Sequence, residues 1–489
     1  MLFNSYVFIL AFLPVTLIGY YAFNHFHFYR IAILWLCAAS LFFYGYFNWL
    51  YLPIMLFSIL FNYFLSRFIH PASWGKRLPG YGRKILFVFG VICNIGVLFY
   101  FKYFDFFIDN INAVFGTNFH LLHLLLPLGI SFFTFQQVSY LADSVSGDGT
   151  YAYPFPVYAL FVTFFPQLIA GPIVLHGEIV PQFLDKEKRK FNADNFAKGL
   201  MAFSFGLAKK VLLADTFAAA VEIGFSQVDS LGTINALVVM LSYTFQIYFD
   251  FSGYCDMATG IGKFFNIDIP LNFNSPYRAL TITEFWNRWH MTLTRFFTRY
   301  VYIPLGGNRR GRARTYVNIL IVFLVSGLWH GANWTFLLWG ALHGAASVIT
   351  RIFREGISRW HPAFSWLCTF AFVNVAWVFF RAESISQGVL FLKQLGSFKF
   401  TSLIGEIQGA FVLPEFNLLL THLHGNKIVS VLWFLFIIFA LYASLQMKNT
   451  NERLDTFKPR VRSAVIPAVL TVWSILSLSG VSVFLYWNF

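Results

Sequence analysis

Two histidines, His330 and His343, stand in a stretch that otherwise reads as membrane, "SGLWHGANWTFLLWGALHG" (326–344), and a third, His290, stands in "EFWNRWHMTL" (284–293), within the longest non-spanning region, 263–314. An imidazole is costly in hydrocarbon, and ionisable residues placed there are functional by default. Three chemistries are open to such a set. Histidines spaced like His330 and His343 on a continuous helix could ligate stacked haems, but no second helix carries histidines at a matching spacing. Together with the acids Asp250 and Asp256 of "YFDFSGYCDMATG", they could relay protons through a transporter. A neutral imidazole could also take the proton of a hydroxyl as it attacks a thioester, a reaction activated enough to need only a base and an oxyanion donor. No G-x-S-x-G elbow, phosphate-binding loop or H-E-x-x-H helix competes, and no spacing suggests a metal site.

The elements that must position these side chains follow from the flanking sequence. An apolar helix is expected from Tyr316 to Trp329, after the basic loop "GGNRRGRAR" (306–314). If it rises from the inner interface, roughly 15 residues carry His330 about 22 Å inward, short of the ~30 Å hydrocarbon core. "GANW" then interrupts the pattern at Gly331 and Asn333, and a second apolar helix returns from Trp334 toward Arg351. Basic loops at both feet suit a hairpin dipping from the cytoplasm, whose apex must be enclosed by other helices or line a cavity. His343 lies about 13 Å nearer the cytoplasm than Trp334, so the two histidines would line one passage at different depths without touching. Trp329, Asn333, Trp286 and Asp250 are further candidates to line it.

His290 belongs to "TITEFWNRWHMTLTRFFTRY" (281–300), where Thr281 and Glu284 have capping-box spacing. A single helix of period 3.6 puts Trp286, His290, Leu293 and Phe297 on one face and Arg288, Arg295 and Arg299 nearly opposite. Such a helix can lie at the cytoplasmic interface with its arginines toward lipid phosphates. The preceding "KFFNIDIPLNFNSPYRAL" (263–280), rich in Asn and Pro, suits irregular backbone buried in protein.

The bulk numbers agree with a membrane setting. Of 489 residues, 58% are hydrophobic, 21% aromatic and only 11% charged, with a mean hydropathy of +0.64; a soluble chain of this size does not look like that. The expected fold is an all-α integral membrane protein, one domain over 1–489, with about eleven spans plus re-entrant and interfacial helices. Apolar runs include 4–22, 30–49, 84–102, 153–170, 231–249, 429–446 and 464–487. The first lacks a basic n-region and a small-residue cleavage site, so it is expected to be retained. The stretch 119–142 spoils strict alternation, and the loop "ADSVSGDGT" (142–150) after it has no basic residue, which suits a re-entrant segment.

The net charge of +14 comes from grouped Lys and Arg, as the positive-inside rule produces, and no soluble basic domain exists to bind nucleic acid. Arg309, Arg310, Arg312 and Arg314, at the foot of the hairpin, could hold the phosphates of a coenzyme. Asp250 and Asp256 could instead be paired with Arg278 or Arg288. Four scattered cysteines without C-x-x-C spacing are packing residues.

Several stretches together resemble the membrane-bound O-acyltransferase family: "LPLGISFFTFQQVSY" (126–140), "FFPQLIAGPI" (164–173), "SYTFQIYFDFSGYCDMATG" (242–260), "EFWNRWHMTL" (284–293), "YIPLGGNR" (302–309) and "GLWHGANWTFLLWGALHG" (327–344). More narrowly they look like its bacterial branch acting on alginate, peptidoglycan and teichoic acid. The matches run in the expected order over about 120–350, the two histidine blocks being the most specific. The remainder matches only as apolar spans. The resemblance implies about eleven helices around a central tunnel, with a thioester donor such as acetyl-CoA entering from the cytoplasm and the acceptor from outside. It implies that His330 is the catalytic histidine, acting as general base, and that His290 is the second polar residue of the centre, orienting or polarising the thioester carbonyl. It also implies no bound cofactor, a polysaccharide acceptor reached directly or through an SGNH-type outer partner, and a multi-pass place in the bacterial inner membrane. One departure stands out: Thr298-Arg299-Tyr300 replaces the branch's usual Arg-Asp-Tyr, removing an acid that would tie this helix. A proton-coupled exporter of an envelope precursor, working through His330 and Asp250, is the alternative, and an acyl-independent scaffold for envelope assembly is a third class.

Overall fold

The computed structural model describes residues 1–71, 73–146, 152–413, 415, 426–478 and 484–485, and every regular element among them is helical. Among the described residues, six helices are long and apolar enough to cross a membrane: Phe8–His25, Trp49–Ile69, Gly80–Phe115, Thr233–Phe264, Arg312–His330 and Pro362–Arg381. Shorter apolar helices cover Tyr29–Gly45, Val431–Leu445 and Ser463–Leu476. The chain is a multi-pass, all-helical membrane protein.

One expected span is corrected. The run 153–170 is broken into helices Phe155–Thr163 and Phe165–Leu168: Phe164 leaves helical geometry, and Pro166, in the first turn of the second helix, has no N–H with which to continue the first. Tyr158, Phe161 and Phe165 are fully buried there, so the run is protein core and not a lipid-facing crossing. Within 119–142, residues 117–127 are non-helical and helix Ile130–Ser146 begins after them. Of the expected loop 142–150, residues 142–146 continue that helix and 147–150 lie outside the described residues.

Two compact units emerge. The first comprises Met1–Leu200 with Ala258–Pro270. In hydrocarbon, polar side chains must satisfy one another, and here they do. Asn62 and Asn94 exchange amide bonds of 3.0 and 2.7 Å between helices Leu52–Ile69 and Gly80–Leu98. Tyr158 donates to Gln137 Oε1 at 3.1 Å, and Gln137 Nε2 donates to Ser58 Oγ at 2.8 Å. His176 stands between Asp143 and Tyr153, 3.2 Å from each.

The second unit comprises Met201–Met257 with Leu271–Phe489 and contains all three histidines of interest. It contains a helical hairpin, Arg312–His330 and Trp334–Ile352. The rising helix starts four residues before Tyr316, and its 19 residues span about 28 Å. The arms approach closely where glycines face each other: a Cβ added at Gly327 would strike the Phe336 carbonyl oxygen, and one at Gly340 the Phe323 carbonyl. Gly327→Leu is therefore expected to destabilise the protein by at least the 1–3 kcal/mol typical of overpacking, seen as a lower thermal midpoint in detergent. An unchanged midpoint would contradict this packing.

The acids Asp250 and Asp256 are paired, but not with the expected arginines. Lys210 Nζ lies 2.7 Å from Asp250 and 2.8 Å from Asp215, and Lys209 Nζ lies 2.6 Å from Asp256. Arg288 pairs with Glu284 one turn away, and Arg278 with Glu452. The lysines sit in a π-helical turn, Lys209–Ala214, that joins helices Ala193–Ala208 and Asp215–Ser226. Asp250 also accepts the Leu485 backbone N–H at 2.9 Å, and Asp256 the Thr450 hydroxyl at 2.5 Å.

Candidate functional site

The expected continuous helix over 281–300 is two short ones, Ile282–Arg288 and Met291–Phe297, followed by a π turn at Thr298–Tyr302. Thr281 Oγ1 caps the first as expected, accepting Glu284 N–H at 3.1 Å, while the Glu284 carboxylate accepts Leu280 N–H. The break falls at His290, whose backbone is left-handed at φ 44°, ψ 51°. A non-glycine residue adopts that conformation only where its surroundings hold it. Helical phase therefore does not aim His290, although Trp286, Leu293 and Phe297 are buried as predicted.

Asn272, from the Asn-rich irregular stretch, is what holds it. Its carbonyl accepts Met291 N–H at 2.9 Å. Its side-chain Oδ1 accepts Thr292 N–H at 3.2 Å and the Thr292 hydroxyl at 2.8 Å, and lies 3.1 Å from His290 Nδ1. Because an atom accepting a backbone N–H must be the amide oxygen, His290 Nδ1 has to carry the proton. In the neutral ring, Nε2 is then the lone-pair nitrogen. A neutral His290 of this tautomer can accept at Nε2 but cannot donate there.

His343 is the opposite tautomer. Trp286 Nε1–H donates to its Nδ1 at 3.2 Å, so its proton is on Nε2. Neither this Nε2–H nor the Trp339 indole N–H meets an acceptor among the described residues.

His330 ends the rising arm of the hairpin and is 2% exposed. Aromatic rings enclose it: Trp329 at 4.8 Å, Phe380 at 5.1 Å and Trp339 at 5.2 Å between centroids. The Trp329 ring is also 6.0 Å from His290, and Trp339 is also 4.9 Å from His343. One indole thus stands next to His290 and His330, and another next to His330 and His343. The three imidazoles form a buried series linked by tryptophans, in surroundings of low polarity that strengthen any hydrogen bond made there.

The other predicted residues fall elsewhere. Asn333 caps the descending arm, its Oδ1 accepting Thr335 N–H and its Nδ2 donating to Glu383 O, each at 3.0 Å. Its amide is a structural element of the turn and not a passage lining. Asp250 is held by Lys210. Arg309, Arg310, Arg312 and Arg314 are exposed at the start of the hairpin, Arg312 about 27 Å along the helix axis from His330. Asn272 and Trp339 were not singled out from sequence; the irregular stretch around Asn272 was the available signal, since buried non-helical backbone needs a side chain to satisfy it.

Asn272→Ala is expected to lower turnover about 10²-fold, the scale of a misplaced reacting group, and to alter the pH–rate profile. Thr292→Val, which removes only the hydroxyl contact to the same oxygen, should leave that profile in place. Equal effects of both would reduce Asn272 to a packing residue.

Comparison with known proteins places these features in company. The model of the membrane-bound O-acyltransferase family matches residues 144–387, which include His290 and His330. A peptidoglycan O-acetyltransferase of Helicobacter pylori is 41% identical over 529 aligned positions, covering 100% of this chain and 98% of that protein. The probable alginate O-acetylase AlgI of Pseudomonas aeruginosa is 37% identical, covering 94% of this chain and 84% of its own length. A teichoic acid D-alanyltransferase of Bacillus subtilis is 26% identical over 50% of this chain and 63% of that protein.

Proposed function

Because the chain belongs to the membrane-bound O-acyltransferase family and is an O-acyltransferase, we propose that it moves an acetyl group from a cytoplasmic thioester, acetyl-CoA, to a hydroxyl of an envelope polysaccharide outside a bacterial inner membrane. Delivery is direct or through an SGNH-type partner protein. The relatives named for peptidoglycan and alginate support a polysaccharide acceptor.

The observation that carries this reading is the enclosure of His330 at the tip of the hairpin, with Trp329 next to both it and His290. In the reaction, an unprotonated His330 nitrogen takes the acceptor hydroxyl proton as the oxygen adds to the thioester carbonyl carbon. Collapse re-forms the carbonyl, breaks the C–S bond and returns the proton from imidazolium to the thiolate. His290, with a lone pair on Nε2, accepts from a neighbouring hydroxyl of the acceptor and so orients the reacting one. His343 Nε2–H and the Trp339 N–H are the buried donors available to the developing oxyanion. The four arginines from Arg309 to Arg314 meet the phosphates of an elongated donor and not its acyl group.

The alternative reading as a proton-coupled exporter is less well supported, since the acid it would use, Asp250, is held in an ion pair with Lys210. Purified protein given acetyl-labelled CoA thioester and a soluble oligosaccharide tests the two. Transfer or hydrolysis of the label supports the acyltransferase mechanism; an intact thioester at every acceptor concentration, with and without an SGNH-type partner present, would exclude it.

A further inference from the structure

A cavity of about 790 Å³ in the second unit is lined by none of the three histidines. Two of its walls are the helices Asn426–Leu445 and Val461–Leu476, through Leu435, Phe439, Ile466 and Leu470, and a third is the stretch 205–213, through Phe205 and Leu212. Its size is within the roughly 300–1,000 Å³ of ordinary ligand sites. From Leu432 to Ala443 it runs about 16 Å along the first of these helices, about the depth of one leaflet, half the ~30 Å core.

Two facts say what fills it. Leu435, Phe439 and Ile466 line the cavity and are also 54%, 47% and 52% exposed, so its wall faces outward into hydrocarbon. Among the described residues the two wall helices do not pack closely on each other. An apolar slot open to the bilayer stays dry, and leaving it empty forfeits contacts on every side. Acyl chains are the material at hand.

The end of the slot is chemically different. Lys448 and Arg453 line it, in the segment 448–462 that carries five cations against two acids. Lys448 is exposed, and no partner for its ammonium is present among the described residues. Arg453 is half-buried, held over the Phe205 ring at 4.7 Å and donating from Nε to the Lys448 carbonyl at 3.0 Å. The slot is fixed in place: Thr450 bonds Asp256, and Ser204 bonds Thr471 on the second wall helix at 2.6 Å. A long apolar slot with a cationic end matches an amphiphile carrying a phosphate, and grouped cations mark the cytoplasmic side.

We propose that this cleft binds a single anionic phospholipid of the cytoplasmic leaflet, with its phosphate at Lys448 and Arg453 and an acyl chain between helices Asn426–Leu445 and Val461–Leu476. The site is independent of the catalytic reading. Full-length protein is stripped with detergent, then titrated with dioleoyl phosphatidylglycerol or dioleoyl phosphatidylcholine and followed by native mass spectrometry. One phosphatidylglycerol per chain is expected, with phosphatidylcholine several-fold weaker. Lys448→Gln should weaken phosphatidylglycerol about fivefold, the worth of one cation near a headgroup, and leave phosphatidylcholine unchanged. Leu470→Trp, which fills the slot, should weaken both. Absence of a one-to-one adduct, equal affinity for the two lipids, or insensitivity to Leu470→Trp would overturn the proposal. So would displacement of the lipid by a long-chain acyl thioester that is then turned over, because the cleft would then be a donor channel.

Discussion

His330→Ala should reduce thioester-dependent acyl transfer by about 10²–10⁴-fold, the range that a positioned general base contributes, with little change in the apparent affinity for the donor. The base acts only as the hydroxyl proton leaves, so its loss falls on kcat and not on ground-state binding. Because His330 is packed against Trp329, Trp339 and Phe380, alanine also opens a cavity. His330→Gln keeps most of the volume and separates the two effects. Both variants should be equally inactive, and the glutamine variant should have a thermal midpoint close to that of the parent. A glutamine variant retaining a tenth or more of the activity would assign the proton transfer to another group, with His290 Nε2 the first candidate.

The second large effect concerns stability. Lys210 is 2% exposed and lies between Asp250, also buried, and the partly exposed Asp215. Removing one partner of a buried ion pair leaves an uncompensated charge, at a cost of about 3–5 kcal/mol, and the setting within a membrane gives no water to relieve it. Lys210→Met should therefore sharply lower the yield of folded protein and its thermal midpoint. Adding Asp250→Leu to Lys210→Met should recover a large part of the loss, since a matched apolar pair costs far less than a lone carboxylate. If the double variant is no better than the single one, the pair is not what makes Lys210 important. The comparison also bears on the transporter alternative, because an Asp250 cycling protons would make Asp250→Leu inactive even where folding is restored.

The hairpin was legible in the sequence because its signals are local. Basic residues mark the foot, an apolar run makes the arm, and Gly331 with Asn333 makes the turn. Asn333 was placed at the turn correctly, yet its amide is used there as a cap. The break at His290 was not legible, since the contact that sustains it comes from Asn272, eighteen positions earlier and in no periodic relation to it. Helical phase therefore gave sound burial for Trp286, Leu293 and Phe297 but the wrong geometry for the histidine. Hydropathy misled at 153–170 for a related reason: apolar content does not distinguish a lipid-facing span from buried core, and the prolines decide.

The partners of Asp250 and Asp256 are Lys209 and Lys210 of "GLAKKVLLAD", some forty positions earlier and in no periodic relation to the acids, so the nearer Arg278 and Arg288 were the visible candidates. In a π-helical turn the two lysines diverge enough for each to meet a separate acid. The tautomers of His290 and His343 were likewise beyond any sequence reading, for they depend on which atom of Asn272 and of Trp286 faces each ring.

The most direct test of an imidazole joining a donor on one face to an acceptor on the other uses sealed vesicles containing the purified protein, oriented by limited proteolysis of the basic loops. Acetyl-labelled CoA is enclosed with the cytoplasmic face and a soluble oligosaccharide is placed outside, with an SGNH-type partner added in a parallel sample. Label should appear on the outer oligosaccharide, in one sample or both, with wild-type protein and fall to background with His330→Gln. Transfer by His330→Gln at the wild-type rate would contradict the account.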